Sequence, residues 1–301
     1  MAWLDWPIEL ATGKDRTQAS YEQIASLRLD LHGDPHKAQL VVCSDGNHHM
    51  ALEQALQVFA GENPALEEIF YTTTPPRIAL QLVQSGGLQI GNFRLSVSPH
   101  VFISPPQVTE KLTAAGKLSK SAPFMRSRGV VLLVRKENPK HVLGINDLLR
   151  DDVRLFLSNP ITEAVSYQIY TDCLRRLATQ RGITLDFLGH APGHPDPNKL
   201  IYGESIHHRE APQMVMDGRA DAAVVFYHLG LRYQCIFPEI FDFVWPEGSL
   251  GNQSCDISHF NCGLVGDGGA WGEALYQFLL SDSVTEIYHS HGLERAKRGL
   301  V

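Results

Sequence analysis

The chain of 301 residues lacks any long apolar run, any block of basic residues and any C-x-x-C pair. Its longest apolar stretches, residues 129–134 and 222–227, are far shorter than the roughly 18 residues of a membrane-spanning helix. Acidic residues outnumber basic ones by 33 to 26, and Lys and Arg form no stripe that could follow a phosphate backbone. We therefore expect neither an integral membrane protein nor a nucleic-acid partner.

Cysteine usage and the first residues bear on the compartment. The five cysteines are scattered and odd in number, which favours free buried thiols over a disulfide framework or a thiolate zinc site. The first 14 residues carry Asp5 and Glu9 and have no continuous apolar core like that of a signal peptide. As written, the sequence predicts a cytoplasmic location.

Enzyme signatures are also missing. No dinucleotide fingerprint, no phosphate loop ending in Gly-Lys-Ser/Thr and no G-x-S-x-G turn follows a predicted strand. We therefore expect no cofactor and no enzymatic activity, and an enzyme built on the same fold stays open only as a third function.

Short apolar segments alternate with amphipathic ones along the chain. This alternation predicts an α/β fold with mainly parallel sheets, in two units joined near residues 124–128. Predicted strands lie at 39–43, 68–71, 101–104, 129–135, 153–157, 199–202, 222–227 and 260–265. Predicted helices lie at 17–31, 48–59, 77–85, 107–115, 145–149, 163–180, 210–217, 271–280 and 284–291.

Several short motifs together carry a family resemblance. They are LVVCSDGN (40–47), YTTT (71–74), HVFIS (100–104), GVVLLV (129–134), LFLSNP (155–160), DGRADAAVVFY (217–227) and the ending at 278–292. Over residues 38–295 the chain resembles the molybdate-type substrate-binding proteins of ABC transporters. The resemblance implies a type II periplasmic-binding-protein fold, with the ligand in a cleft between two α/β lobes. Lobe I would comprise 38–125 and 246–301, lobe II 126–245, and residues 1–37 would form an N-terminal extension.

The same resemblance implies a function. The protein would capture a small oxyanion of the molybdate, tungstate or sulfate class and deliver it to an ABC-transporter permease in the periplasm. The alternative is an intracellular sensor or carrier of a small ligand or metal that uses the same cleft, which the missing signal peptide favours.

The candidate site lies in three loops, 44–47, 72–74 and 159–166, each of which follows a predicted strand and opens a helix. Such loops bring hydroxyl, amide and backbone N–H donors together at the carboxyl ends of strands, where an oxyanion can bind. By the resemblance, donors fall at Asn47 and Thr74, backbone amides at Val165 or Ser166 and at His208, and the ligand tyrosine at Phe226 or Tyr227. The predicted ligand-binding set is Ser44, Asp45, Asn47, His48, Thr73, Thr74, Val165, Ser166, His208 and Tyr227.

Two features of this set leave alternatives open. Asp45 would repel an oxyanion and suit a cation or an amine, unless it caps the helix at His48. The histidines at 48, 49, 207, 208 and 228 are either metal ligands, with His48 and His208 as the named candidates, or donors to an anion, or caps and surface groups. His190 and His194, on a proline-rich loop, are interpreted as structural.

Overall fold

The computed structural model describes residues 4, 31–74, 76–90, 93–189, 196, 198–204, 206–247 and 258–296. The predicted helix at 17–31 lies outside these residues except for Leu31, which is in a strand, and His190 and His194 lie outside them as well. Among the described helices, none is both long enough and apolar enough to span a membrane.

The elements alternate along the chain. They are β1 (Leu31–His32), β2 (Leu40–Ser44), α1 (His49–Glu62), β3 (Ile69–Thr73), α2 (Pro76–Ser85), β4 (Leu88–Ile90), β5 (Phe93–Leu95), β6 (Val101–Ser104), α3 (Pro106–Ala114), β7 (Leu118–Ser127), β8 (Val130–Arg135), β9 (Leu155–Leu157), α4 (Ala164–Gln180), β10 (Leu200–Tyr202), α5 (His207–Met216), β11 (Ala222–Phe226), α6 (Tyr227–Ile236), β12 (Phe241–Val244), β13 (His259–Val265), α7 (Gly269–Leu279), α8 (Asp282–Ser290) and β14 (Leu293–Arg295). Single 3₁₀ turns lie at Gly46–His48, Ile145–Leu149 and Asp186–Gly189.

The chain divides into two compact units. The first unit contains the described residues from Leu31 to Arg126 and from His259 onward, and the second unit contains Ser127–Ser258 together with Leu4. In the second unit the backbone N–H of Leu4 donates to the side chain of Gln213.

The first unit is built on a seven-stranded sheet in the order β1-β3-β2-β6-β13-β7-β14. All five residues of β2 are buried, because helices cover both faces of the sheet. Leu40 and Val42 belong to a core with α1, α7 and α8, whereas Val41 and Cys43 belong to a core on the opposite face with α2 and α3. The continuous apolar run of β2 follows from this double burial.

The second unit is built on a five-stranded sheet in the order β10-β9-β11-β8-β12, and α5 and α6 contact several of its strands. In each sheet three neighbouring strands run parallel to one another: β3-β2-β6 in the first and β10-β9-β11 in the second. The strands β1, β13, β8 and β12 pair antiparallel with their neighbours. Both sheets are therefore mixed, with parallel and antiparallel pairs, because apolar periodicity shows that a segment is a strand but not its direction.

Cysteine chemistry also differs from the prediction. Cys173 in α4 is disulfide-bonded, whereas Cys43, Cys235 and Cys262 are free thiols. Disulfide formation depends on the distance between cysteines in the folded chain, which their spacing in sequence does not show.

Candidate functional site

Three polar residues, Thr74, Asp45 and Ser104, form a row at the carboxyl edge of the first unit's parallel strands. In the sheet register Ser44 pairs with Thr73 on β3 and with Ile103 on β6. One residue further on, Asp45 lies between Thr74 and Ser104. Backbone hydrogen bonds hold this row, from Thr74 N to Ser44 O (2.9 Å) and from Asp45 N to Ile103 O (3.2 Å). The register therefore places Thr74, Asp45 and Ser104 side by side along this edge of the sheet.

Two of these side chains carry unsatisfied hydroxyls. Thr74 Oγ1 and Ser104 Oγ are buried, and neither has a hydrogen-bond partner among the described residues. A buried hydroxyl without a partner costs about 1–3 kcal/mol of desolvation. Hydroxyls of this kind at the ends of parallel strands are suited to receive the oxygens of a ligand. Thr73, also predicted, is buried at the end of β3.

Ser44 and His48 belong to a buried hydrogen-bonded chain instead. The Nε2 atom of His48 lies 3.1 Å from Ser44 Oγ, and its Nδ1 lies 3.0 Å from the phenol of Tyr288 on α8. Its ring also packs against Phe260 at 4.6 Å. Because both ring nitrogens have protein partners, we leave His48 out of the proposed ligand and metal contacts. Its neighbour His49 is half-buried and uses Nδ1 on the Gly46 carbonyl.

Asp45 caps the 3₁₀ turn that precedes α1, which is one of the two roles that the sequence analysis left open for it. Its Oδ1 accepts a hydrogen bond from Asn47 N (3.2 Å) and lies 3.9 Å from His48 Nε2. The side chain is almost fully buried, and this burial raises the pKa of the carboxyl to about 7, although the bond from Asn47 opposes the rise. Asp45 can therefore be neutral or ionised near neutral pH.

The second unit has a comparable hydroxyl, at the end of β9. Gly203 N donates to Leu157 O (3.0 Å). Ser158, the residue after Leu157, has a buried hydroxyl with no partner among the described residues. Asn159 closes the following turn: Oδ1 accepts from Ile161 N (2.8 Å) and Nδ2 donates to Gly203 O (3.0 Å). The side chain of Asn159 therefore stabilises this turn through hydrogen bonds to the backbone.

The predicted amide donors of the second unit lie at two helix starts. Val165 and Ser166 are in the first turn of α4, where backbone N–H groups lack intrahelical acceptors, and the Val165 side chain is 71% exposed. His208 is the second residue of α5, and its carbonyl accepts a hydrogen bond from the phenol of Tyr233. Its neighbour His207 is buried with its ring stacked on Phe156 (5.1 Å).

Phe226 and Tyr227, the two alternatives for the ligand tyrosine, differ in burial. Phe226 is a core residue against Tyr170 (4.9 Å) and the buried His228 (5.6 Å). Tyr227 begins α6, and its half-buried ring stacks on Trp245 (4.9 Å) beneath the guanidinium of Arg128 (5.2 Å). Tyr227 is therefore the less buried of the two positions and stays the predicted ligand tyrosine.

No metal centre is assembled in the part of the chain that the structure describes, since no three His, Cys, Asp or Glu side chains are grouped to hold an ion. The two named metal candidates, His48 and His208, belong to different units.

The sequence-based set omits Ser104 and Ser158. Both are polar residues that end or directly follow a buried apolar strand, and this signal is visible in HVFIS and LFLS. What marks them out is the absence of a partner for a buried hydroxyl, which only the packed structure shows.

Comparison with known proteins identifies the family. Residues 40–294 match the family of bacterial extracellular solute-binding proteins, and the chain belongs to this family. It is therefore a solute-binding protein, and the expectation that it is not an enzyme is confirmed. No curated protein sequence matches the chain.

Solved structures share its fold. The periplasmic molybdate-binding protein of Azotobacter vinelandii is 15% identical and has a TM-score of 0.59, covering 86% of this chain and 100% of that one. The substrate-binding domain of a putative molybdenum ABC transporter from Clostridium difficile is 15% identical with a TM-score of 0.60 (86% and 99% covered). The sulfate-binding protein SubI from Mycobacterium tuberculosis is 14% identical with a TM-score of 0.62 (85% and 86% covered). The predicted two-lobed fold class and the resemblance to molybdate-type binding proteins are confirmed.

Proposed function

We propose that the protein binds a small oxyanion of the molybdate, tungstate and sulfate class and delivers it to an ABC-transporter permease. The observation that carries this proposal is the pair of buried, unpartnered hydroxyls of Thr74 and Ser104 at the carboxyl edge of one sheet. Neutral O–H donors suit an oxyanion because they satisfy its oxygens without a full counter-charge. The ligands named for the neighbours from A. vinelandii and M. tuberculosis belong to this class.

We further propose that the protein works outside the cytoplasm. The family is described as extracellular, and disulfides such as that of Cys173 are typical of oxidising compartments. Both observations favour the periplasmic alternative over the cytoplasmic location that the N-terminal composition predicts.

Thermal denaturation with molybdate, tungstate, sulfate and phosphate tests the binding. A ligand that binds only the native state adds about 2.7 kcal/mol of stability at 100 times its dissociation constant, so at least one anion should raise the melting temperature. If none of the four anions shifts the melting temperature, the oxyanion proposal is wrong.

A matched pair of variants tests the site itself. Thr74→Val keeps the side-chain volume but removes a hydroxyl, so the anion should bind about 1–3 kcal/mol more weakly. Thr72→Val is the control, because Thr72 lies on the same face of β3 but its hydroxyl is engaged with Cys43 Sγ at 3.3 Å. If calorimetry finds that both variants bind the anion equally weakly, Thr74 has a purely structural role. Ser158→Ala tests separately whether the second sheet contributes to the same ligand.

A further inference from the structure

We infer that Asp45 makes anion binding depend on a proton that the carboxyl and the ligand share. On this inference, which rests on the proposed function, a fully ionised dianion such as sulfate or molybdate binds together with one proton taken from solution. An oxyanion that carries its own acidic hydrogen, such as hydrogen phosphate, binds without that uptake. Asp45 then determines which oxyanions the site accepts at a given pH.

The position of Asp45 is the first argument. It is the middle residue of the row, with Thr74 on one side and Ser104 on the other, and both neighbours present buried hydroxyls that lack a partner among the described residues. A ligand that satisfies these two hydroxyls would therefore lie next to Asp45 at this edge of the sheet. Backbone hydrogen bonds from Asp45 N to Ile103 O and from Thr74 N to Ser44 O hold the main chain at this point of the row.

The surroundings of the carboxyl are the second argument. Oδ1 accepts from Asn47 N, and no described residue donates a hydrogen bond to Oδ2. Facing it are His48, whose Nε2 is 3.9 Å from Oδ1, and beyond that ring the Tyr288 phenol on α8 and the Cys262 thiol on β13. No described Lys or Arg forms an ion pair with Asp45, and the nearest ring nitrogen contacts Ser44 instead. The ionised carboxylate would therefore have no strong counter-charge.

Charge balance gives the consequence. Two adjacent negative groups in a buried site cannot both stay fully ionised without a large cost, so the pair retains a proton. With sulfate, the carboxylate takes up a proton and donates the resulting O–H to a sulfate oxygen. With hydrogen phosphate, the ligand's own P–O–H donates to the carboxylate, and no proton is taken from solution. Because burial brings the pKa of Asp45 to about 7, the proton is available near neutral pH.

Calorimetry of sulfate and phosphate at pH 6, 7, 8 and 9 tests the inference. Well above the carboxyl pKa, one linked proton lowers sulfate affinity about tenfold per pH unit; with a pKa of about 7, the fall between pH 7 and 9 is about fiftyfold. Phosphate affinity should change much less between pH 8 and 9. Repeating the sulfate titration at pH 9 in buffers of different ionisation enthalpy should show uptake of about one proton. A sulfate affinity independent of pH, with no proton uptake, would refute the inference.

Asp45→Asn is the decisive variant, since it keeps an oxygen for the Asn47 cap and offers a neutral N–H donor. Sulfate binding should become independent of pH and, at pH 9, about a hundredfold tighter than in the wild type. Asp282→Asn, an exposed acidic position on α8 in the same unit, should keep the wild-type profile. A pH slope that persists in Asp45→Asn but disappears in His48→Gln would assign the proton to His48 and overturn the inference.

Failure of the proposed function gives a different result. If the wild type binds neither anion at any pH, both the oxyanion proposal and this inference are refuted. If it binds sulfate with an affinity that does not depend on pH, only the proposed role of Asp45 is refuted. The buffer experiment needs no variant, so a folding defect in Asp45→Asn would not prevent the test.

Discussion

Two buried ionisable side chains, Asp45 in the first unit and His207 in the second, are shifted towards their neutral forms. Burial raises the pKa of Asp45 from 3.8 to about 7 and lowers that of His207 from 6.5 to about 3. The His207 ring lies between Phe156 (5.1 Å) and Tyr170 (5.4 Å), where a positive charge is poorly solvated. Both residues therefore link folding to pH, in opposite directions.

The signs follow from which state binds the proton more tightly. Folded Asp45 binds its proton more tightly than the unfolded chain, so its contribution to the free energy of unfolding is present below pH 3.8 and is lost as the pH rises through about 7. Folded His207 binds its proton less tightly, so its contribution is present above pH 6.5 and is lost as the pH falls towards about 3. Between roughly pH 4 and 6.5 the two contributions largely cancel.

Removing either ionisable group should reveal the pH dependence that the other group contributes to the free energy of unfolding. We expect Asp45→Asn to make the free energy of unfolding rise with pH by about 1.4 kcal/mol per unit relative to the wild type between pH 4.5 and 6.5. His207→Gln should make it fall by a similar amount. Urea unfolding at pH 4.5, 5.5 and 6.5 measures both slopes, and profiles parallel to the wild type would contradict the prediction.

At the scale of elements, the packing of helices on sheets is tight at particular glycines. A Cβ added to Gly230 in α6 would lie 2.6 Å from Val131 Cγ2 on β8, whereas a Cβ on Gly61 in α1 would meet nothing within 4 Å. A glycine at position 230 is therefore required for α6 to approach β8. Position 61, in contrast, has room for a larger side chain.

These two glycines form a matched pair for alanine substitution. Gly230→Ala should lower the free energy of unfolding by about 1–3 kcal/mol, because the stiff Val131 side chain has to shift. Gly61→Ala should be neutral or raise it by up to about 1 kcal/mol, since alanine favours the helix. Chemical denaturation of both variants checks the contrast, and equal effects of the two changes would show that α6 packs less closely on β8.

At the scale of the whole molecule, the oxidation state of the cysteines connects the fold to its compartment. Cys173 is disulfide-bonded, Cys43 and Cys262 are buried free thiols, and Cys235 is an exposed one. Burial raises the pKa of Cys43 to about 12 and also that of Cys262, so both thiols are unreactive in the native protein.

Thiol alkylation followed by peptide mass spectrometry tests this assignment on protein produced in an oxidising compartment. Of the four described cysteines, we expect rapid labelling in the native protein at Cys235 only. In denaturant without reductant, Cys43 and Cys262 should also react, and Cys173 should react only after reduction. Alkylation of Cys173 before reduction would contradict the disulfide and remove one of the two arguments for an extracytoplasmic location.

Local sequence patterns determined most of the elements of this protein. The apolar runs of β2 and β6 predict buried strands, and the helical spacing of residues 48–59 predicts α1, because burial of one face or both leaves a period in the sequence. The pattern does not reveal β7, whose exposed Ser and Lys positions make it appear polar, nor α6, which begins at a residue predicted to end a strand.

The candidate site was only partly accessible to the same reasoning. Thr74 and Asp45 could be named from the sequence because donors in loops after strands are a local feature, and the polar ends of HVFIS and LFLS are visible too. Their common row, the missing partners of Thr74 and Ser104, and the pairing of His48 with Tyr288, 240 residues away, were decided only by the tertiary structure. Strand direction, register and hydrogen-bond satisfaction depend on residues distant along the chain, and no local period in the sequence records them.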